Sequence, residues 1–511
     1  MRPLTRALIV LVLTATVVRD GLASEPDAAE LADLIDRRIE QRLEAEGVGP
    51  ADQADDAEFL RRVYLDLHGS VPTAEQVANF LSDEEPARRA RLIDELLASH
   101  RYGDYMGDIW QGYLVSPLAD DQRVRSDKFR QWLAERFNTK TWDEIAAELL
   151  TATGKMEDNP AVIYLIEGRL PRSVPDLTDI TSRYFMGLRL NCAQCHDHPF
   201  VDWKQQDYWG VAAFFTQIQT PGRAKQVYQL GVKDDPTITL ASLKDGAPDG
   251  FLLRGPTFLG GEELPANAKS HRSALAQWLT SPQNPYFARA MVNRTWWRLF
   301  GRGFVHPVDD MHAANPPSHP ELLELLSRRF AESGFDLKFL TRAIVLSRAY
   351  QRTSRSGDAS EKQGALFGRM SVKVLSAGQL YDLLVTVFGP PGKARGVDSR
   401  LGSRAEFIAF FGEDGDPDPT AYRRGIPHLL RQMNSGQFGR NIDGVVTQAA
   451  RLDRPPDEVT EELFLRILSR RPTAAEQRLV RVHLDRSDLA TTAYRELSWS
   501  LMMTSEFSLN Q

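Results

Sequence analysis

A mainly α-helical protein, built as two helical domains joined by a small β-containing insert, is the fold class this sequence predicts. Three observations carry it. Apolar residues recur at helical spacing through most of the chain, helix-start signatures repeat along it, and one Gly/Pro-rich stretch near its middle breaks that pattern with short β-like runs. The predicted division is 1–23 signal peptide, 24–54 N-terminal helix and linker, 55–218 first helical domain, 219–268 β-containing connection and 269–511 second helical domain. A length of 511 residues, with 42% hydrophobic and 26% charged side chains, gives room for more than one core. The net charge of -7 offers no basic footprint, so nucleic acid is not an expected partner.

Arg2 and Arg6 precede an apolar run from Ala7 to Val18, and Gly21-Leu22-Ala23 follows, so the first 23 residues read as a secretory signal. No other segment approaches transmembrane length, so no membrane span is expected after signal removal, and export to the periplasm or cell surface is. From Glu30 to Leu43, Leu31, Leu34, Ile35, Ile39 and Leu43 make one face of an amphipathic helix. Phe59 to Leu67 is the next, stopping near His68-Gly69, where glycine suits a left-handed cap and His68 faces the helix dipole. Thr73 and Gln76 form a capping box for the third.

Helices are predicted over 87–97, 102–113, 128–137 and 142–150, the third with Phe129, Trp132, Leu133 and Phe137 on one face, a core pattern. A loop over 154–175 precedes a helix over 177–190, and Asp207 to Phe215 is an aromatic helix. Short β runs are expected at 227–232, 237–240 and 251–258. Beyond them, helices over 273–279, 285–300, 321–330, 337–347 and 375–388 alternate with polar loops, of which 352–364 reads as mobile. The acidic loop from Glu413 to Asp418 is not an EF-hand, because Pro419 and Gly425 stand where glycine and glutamate are required. The C-terminal part from Ile426 is again helical, with Thr473 and Glu476 as a capping box.

Both cysteines of the chain fall in one heptapeptide, Cys192-Ala193-Gln194-Cys195-His196-Asp197-His198. C-x-x-C-H is the order used to attach a c-type haem: Cys192 and Cys195 would form thioethers and His196 would ligate the iron. Two other readings stay open. Cys192, Cys195, His196 and His198 are also possible ligands for zinc or another transition metal, with a remote partner such as His319, and the two thiols can close a small disulfide. A second candidate site is the loop from Gly301 to Pro320, which gathers Asp309, Asp310, His312, Asn315 and His319. Turn chemistry competes there, since Ser318 with Glu321 can cap the following helix and the aspartates can bind backbone amides.

Several stretches resemble known families. Arg61 to Gly69 and Cys192 to Phe200, with Trp203 and Tyr208, look like the first of two paired domains of unknown function found in planctomycete cytochrome-c-associated secreted proteins. Ala290 to Trp296, Leu299 to Gly303, Pro307 to Asp310, Asn315 to Pro320 and Ser347 to Tyr350 look like the second. Together they cover roughly residues 55 to 510. Larger relatives carry a further haem-attachment motif in an added N-terminal domain, for which this chain has no cysteines, so Cys192, Cys195 and His196 are its haem candidates. Met186, Met291, Met311 and His319 are candidate distal ligands.

The functional expectation is an exported c-type-haem redox or electron-transfer protein with a protein redox partner. The alternatives are a non-haem metal-dependent enzyme or binding module, and a cell-surface scaffold stapled by a Cys192–Cys195 disulfide.

Overall fold

The computed structural model describes residues 27–115, 123–167, 170–199, 201–219, 231–238, 255–265, 267–268, 270–355, 360–389, 404–411, 442, 444–446 and 454–511. The signal segment, the acidic loop from Glu413 to Asp418 and parts of the three predicted β runs (227–230 of 227–232, 239–240 of 237–240 and 251–254 of 251–258) lie outside those residues. What is described is mainly helical, with only two- and three-stranded sheets.

The predicted helices stand close to where periodicity put them, at Ala28–Ala45, Asp56–His68, Ala74–Ser82, Arg88–Ala98, His100–Leu114, Arg123–Thr139 and Trp142–Leu150. Their ends follow local chemistry. Asp55 accepts from the Glu58 N–H at 2.8 Å, Thr73 and Gln76 form the expected box, and Gly69 closes the second helix at φ 68°. A side chain at Gly69 would also meet Tyr105, since a Cβ there falls 2.3 Å from its ring. His68 does sit at the helix end, with Nε2 against the Leu96 carbonyl at 2.9 Å.

Two expectations change in the loops. The stretch after Thr153 is structured: Gly154–Lys155 is an edge strand, Pro160–Leu165 a 3₁₀ helix, and Ile166–Glu167 pairs with Leu170–Pro171. The β element is therefore a small antiparallel sheet in which Gly231–Asp234 lies between Gly154–Lys155 and Ile218–Gln219. The residues around 352 are not a free loop either, because the Arg352 side chain is buried and donates to the Phe367 carbonyl at 2.9 Å.

The buried apolar side chains do not separate at residue 268. One core runs from Ala28 to Met370 with Leu465, joining both halves, and a second gathers Leu375 to Phe507 with Leu65 and Val71. The Ala28–Ala45 helix packs on Leu337–Leu346, where Asp36 accepts the Arg348 and Ala349 N–H groups at 3.0 Å. The Asp56–His68 helix lies between the two cores and is buried from Glu58 through Leu67.

Each charge buried in that helix has a partner far along the chain. Asp66 accepts from Lys373 Nζ at 2.7 Å, from the Tyr350 hydroxyl at 2.8 Å and from Asn510 Nδ2 at 2.8 Å. Arg62 reaches Glu58 at 2.6 Å and the Tyr350 and Arg352 carbonyls, and Arg61 donates to the Phe507 carbonyl at 2.8 Å. Lys373 and Asn510 face each other across the antiparallel pair Lys373–Val374 and Leu509–Asn510. Burial pulls the Lys373 pKa down to about 8, against the opposing pull of Asp66.

Candidate functional site

The chain reaches its cysteine motif through Val174–Thr181, capped by Ser173, and then a wider π turn over Ser182–Met186. Gly187 ends that turn at φ 70°. The helix predicted to run to Leu190 therefore stops early, because a left-handed glycine turns the chain and the Leu188 N–H returns to the Ser182 carbonyl at 3.0 Å. Leu188 and Leu190 are buried, which explains why their apolar spacing extended the helical pattern.

Asn191–Gln194 forms a 3₁₀ turn that buries Ala193 and leaves Cys192 and Cys195 exposed as free thiols. The turn is docked on the following helix, Gln205–Ala212. Trp209 Nε1 donates to the Gln194 carbonyl at 3.0 Å, and Gln205 Nε2 donates to the same oxygen at 3.1 Å. Asp197 accepts the Gln205 N–H at 2.9 Å, so this carboxylate serves the helix N-terminus. Burial, with the carboxylates of Asp179 and Asp176 adding to it, pushes the Tyr208 pKa up.

The two histidines of the motif are in opposite states. His196 Nδ1 lies 2.7 Å from the Asp197 carbonyl, and a carbonyl only accepts, so Nδ1 is the donor and in the neutral ring the lone pair is on Nε2. His198 Nδ1 instead accepts the Val201 N–H at 3.3 Å, which uses the lone pair there and leaves the neutral ring's proton on Nε2. His196 is thus the imidazole of the pair that offers a metal-binding nitrogen outward.

The second candidate loop is pinned by Asn293, whose amide bonds the Val305 N–H, the Val305 carbonyl and the Val308 carbonyl at 2.9–3.0 Å. Asp309 is buried and grips Arg183 and Arg189, the latter at 2.6 Å. Burial raises its pKa, but Arg183, Arg294 and Arg189 together outweigh burial and hold the carboxyl below its ordinary range. Asp310 faces His312 at 3.6 Å, and its carbonyl accepts from Asn315 at 2.9 Å. The expected aspartate-to-amide role is replaced at Asp309 by two guanidinium groups.

The expected cap at Ser318 is also replaced. His319 holds the N-cap position of Pro320–Glu332 without a side-chain cap bond, and the Ser318 hydroxyl meets His319 Nδ1 at 3.0 Å. His319 is 4% exposed, with the rings of Phe304 and Phe367 within 6.1 and 5.2 Å. Burial, with Arg42 adding to it, holds its pKa down to about 4.

Among the described residues, no three His, Cys, Asp or Glu side chains are grouped to hold a metal ion, so the Cys/His turn and His319 do not converge. What joins the turn to the second loop went unseen in the sequence. Arg183 and Arg189 reach Asp309 across more than a hundred residues, and the Met311 N–H donates to the Gly187 carbonyl at 3.0 Å. No local pattern announces such a pairing.

Comparison with known families matches both halves of the chain. Residues 34–220 match PSCyt2, described as a protein of unknown function (DUF1549), and residues 271–426 match PSD1, described as a protein of unknown function (DUF1553). The chain therefore carries paired domains of unknown function. No curated protein and no solved structure matches it.

Proposed function

We propose that this chain, with its paired domains of unknown function, is an exported redox or electron-transfer protein that holds a c-type haem on Cys192 and Cys195. One observation carries the reading: two free, exposed thiols share a turn with a histidine whose Nε2 lone pair is unspent. Attachment requires reduced thiols. Each S–H adds across one vinyl C=C, sulfur to one carbon and hydrogen to the other, so no oxidant and no leaving group is needed.

The rest of the turn supports that chemistry. His196 would donate Nε2 to the iron, while its Nδ1 bond to the Asp197 carbonyl fixes the ring's orientation. Gln205 and Trp209 hold the Gln194 carbonyl, and with it the spacing of the two thiols. A bound haem supplies a one-electron iron couple, and a centre on an exposed turn suits exchange with a redox partner protein. Export rests on the basic-then-apolar start of the sequence. Consistent with that, no helix among the described residues is long and apolar enough to cross a membrane.

The test is a pyridine haemochrome spectrum with whole-protein mass, on protein exported from cells that carry a haem-attachment system. A c-type spectrum and a mass gain of one haem are expected in the wild type, and Cys192→Ala or Cys195→Ala abolishes normal attachment. An unmodified mass overturns the reading. The same exposure of both thiols favours a second reading, a scaffold with a Cys192–Cys195 disulfide, which the mass would show as the loss of two hydrogens.

A further inference from the structure

The helix Ala474–Arg486 carries apolar residues on two sides, and the protein covers one of them. Val480 is buried and Leu484 packs against the second core. Among the described residues, the large apolar side chains left in solvent are Leu479, Val482 and Leu489, at 71%, 47% and 64% exposure, and all three lie in this helix or just past its end. Apolar side chains scattered singly over a surface are ordinary, whereas several gathered in one stretch mark a contact. Arg478, Leu479, Val482, Asp485 and Arg486 follow one another at three- and four-residue steps, which sets them on one face of the helix.

The charges of this helix divide in the same way. Glu476 is paired with Arg470 at 2.8 Å, Arg481 with Asp457, and His483 with Glu496 at 2.9 Å. Arg478, Asp485 and Arg486 on the outer face, and Asp488 beside Leu489, are exposed and make no ion pair with the described residues. Two cations and two anions leave that face with no net charge. Such a face does not attract nucleic acid or an anionic membrane, but a second copy complements it, because each copy brings both signs. A receiving surface lies beside it. Glu496, the partner of His483, lines an open, largely apolar cavity of about 330 Å³ with Ile442, Arg495, Trp499 and Ser500.

We infer that two copies of this chain pair about a two-fold axis through the outer face of Ala474–Arg486 with Leu489, the apolar stripes together and the arginines of each copy reaching the aspartates of the other. The pairing does not depend on the Cys192–His196 turn or on haem. A helix of 13 residues is about 20 Å long, so the buried area stands at the small end for specific complexes. Reversible pairing at micromolar concentration follows from that size.

Sedimentation velocity of the full-length protein across the micromolar range reads the pairing directly. The wild type is expected to pass from monomer to dimer as concentration rises. Leu479→Glu combined with Val482→Glu sets carboxylates against one another across the axis, and monomer alone is expected, with the thermal midpoint unchanged because both side chains already stand in water. A charge exchange separates this pairing from a surface that is merely apolar. One variant carries Arg478→Glu and Arg486→Glu, and another carries Asp485→Arg and Asp488→Arg; each alone should be monomeric, and an equal mixture should form dimers. A wild type that stays monomeric throughout, a dimer that survives Leu479→Glu with Val482→Glu, or charge variants whose mixture pairs no better than either alone overturns the inference.

Discussion

The helix Asp56–His68 and the turn Cys192–His198 each crowd reactive side chains into a short stretch, yet one spends them inside the fold and the other leaves them facing out. In the helix, Glu58, Arg61, Arg62 and Asp66 are buried, and each is bonded to groups hundreds of residues away. In the turn, Gln194, Asp197 and His198 bond the neighbouring chain, while both thiols and His196 Nε2 are left available. Density of polar residues therefore does not mark a site; what marks it is whether the fold has already used their bonding capacity. The helix holds two cores together, and the turn carries what the cores leave unspent.

The largest expected effect breaks the helix side of that contrast. Asp66→Ala strands the Lys373 ammonium among buried groups, and removing one partner of a buried pair costs about 3–5 kcal/mol. Denaturant unfolding should show that loss in the midpoint; an unchanged midpoint would remove the helix's claim to join the cores. His319 comes next, as a candidate-site residue that behaves like the buried cluster. Its pKa is about 4 when folded and 6.5 ordinarily, so the unfolded chain binds more protons between those values. Stability is full above pH 6.5 and falls as pH drops towards 4, by up to roughly 3 kcal/mol. Thermal melts across that window should show the fall in wild type and a smaller one in His319→Phe; equal slopes would reject the assignment. Smallest is the effect on the turn. In protein made without a haem-attachment system, Cys192→Ser and Cys195→Ser should shift stability by no more than about 0.5 kcal/mol, because the free thiols are exposed. A larger loss would mean that the thiols serve the fold after all.

Much of the helical frame was legible in the sequence because its causes are local. Spacing placed the Ala28–Ala45 and Pro320–Glu332 helices, and Thr73 with Gln76 and Thr473 with Glu476 marked helix starts that hold in three dimensions. The early stop at Gly187 was harder to read, since Leu188 and Leu190 keep the apolar rhythm for burial in a non-helical segment. Ser318 carried the right type for a cap, but its hydroxyl bonds His319, a competition that propensity does not rank.

The sequence by itself determined the helical class, most helix ends and the concentration of both thiols beside His196, because each follows from residues within a few positions of one another. Only the tertiary structure decided which charges are spent. It put Asp66 with Lys373 and Asn510, gave Asp309 to Arg183 and Arg189, buried His319 and laid Met311 on Gly187. Those pairings depend on which surfaces the two cores bring together, and contacts between residues a hundred or more positions apart leave no periodic trace in a single chain.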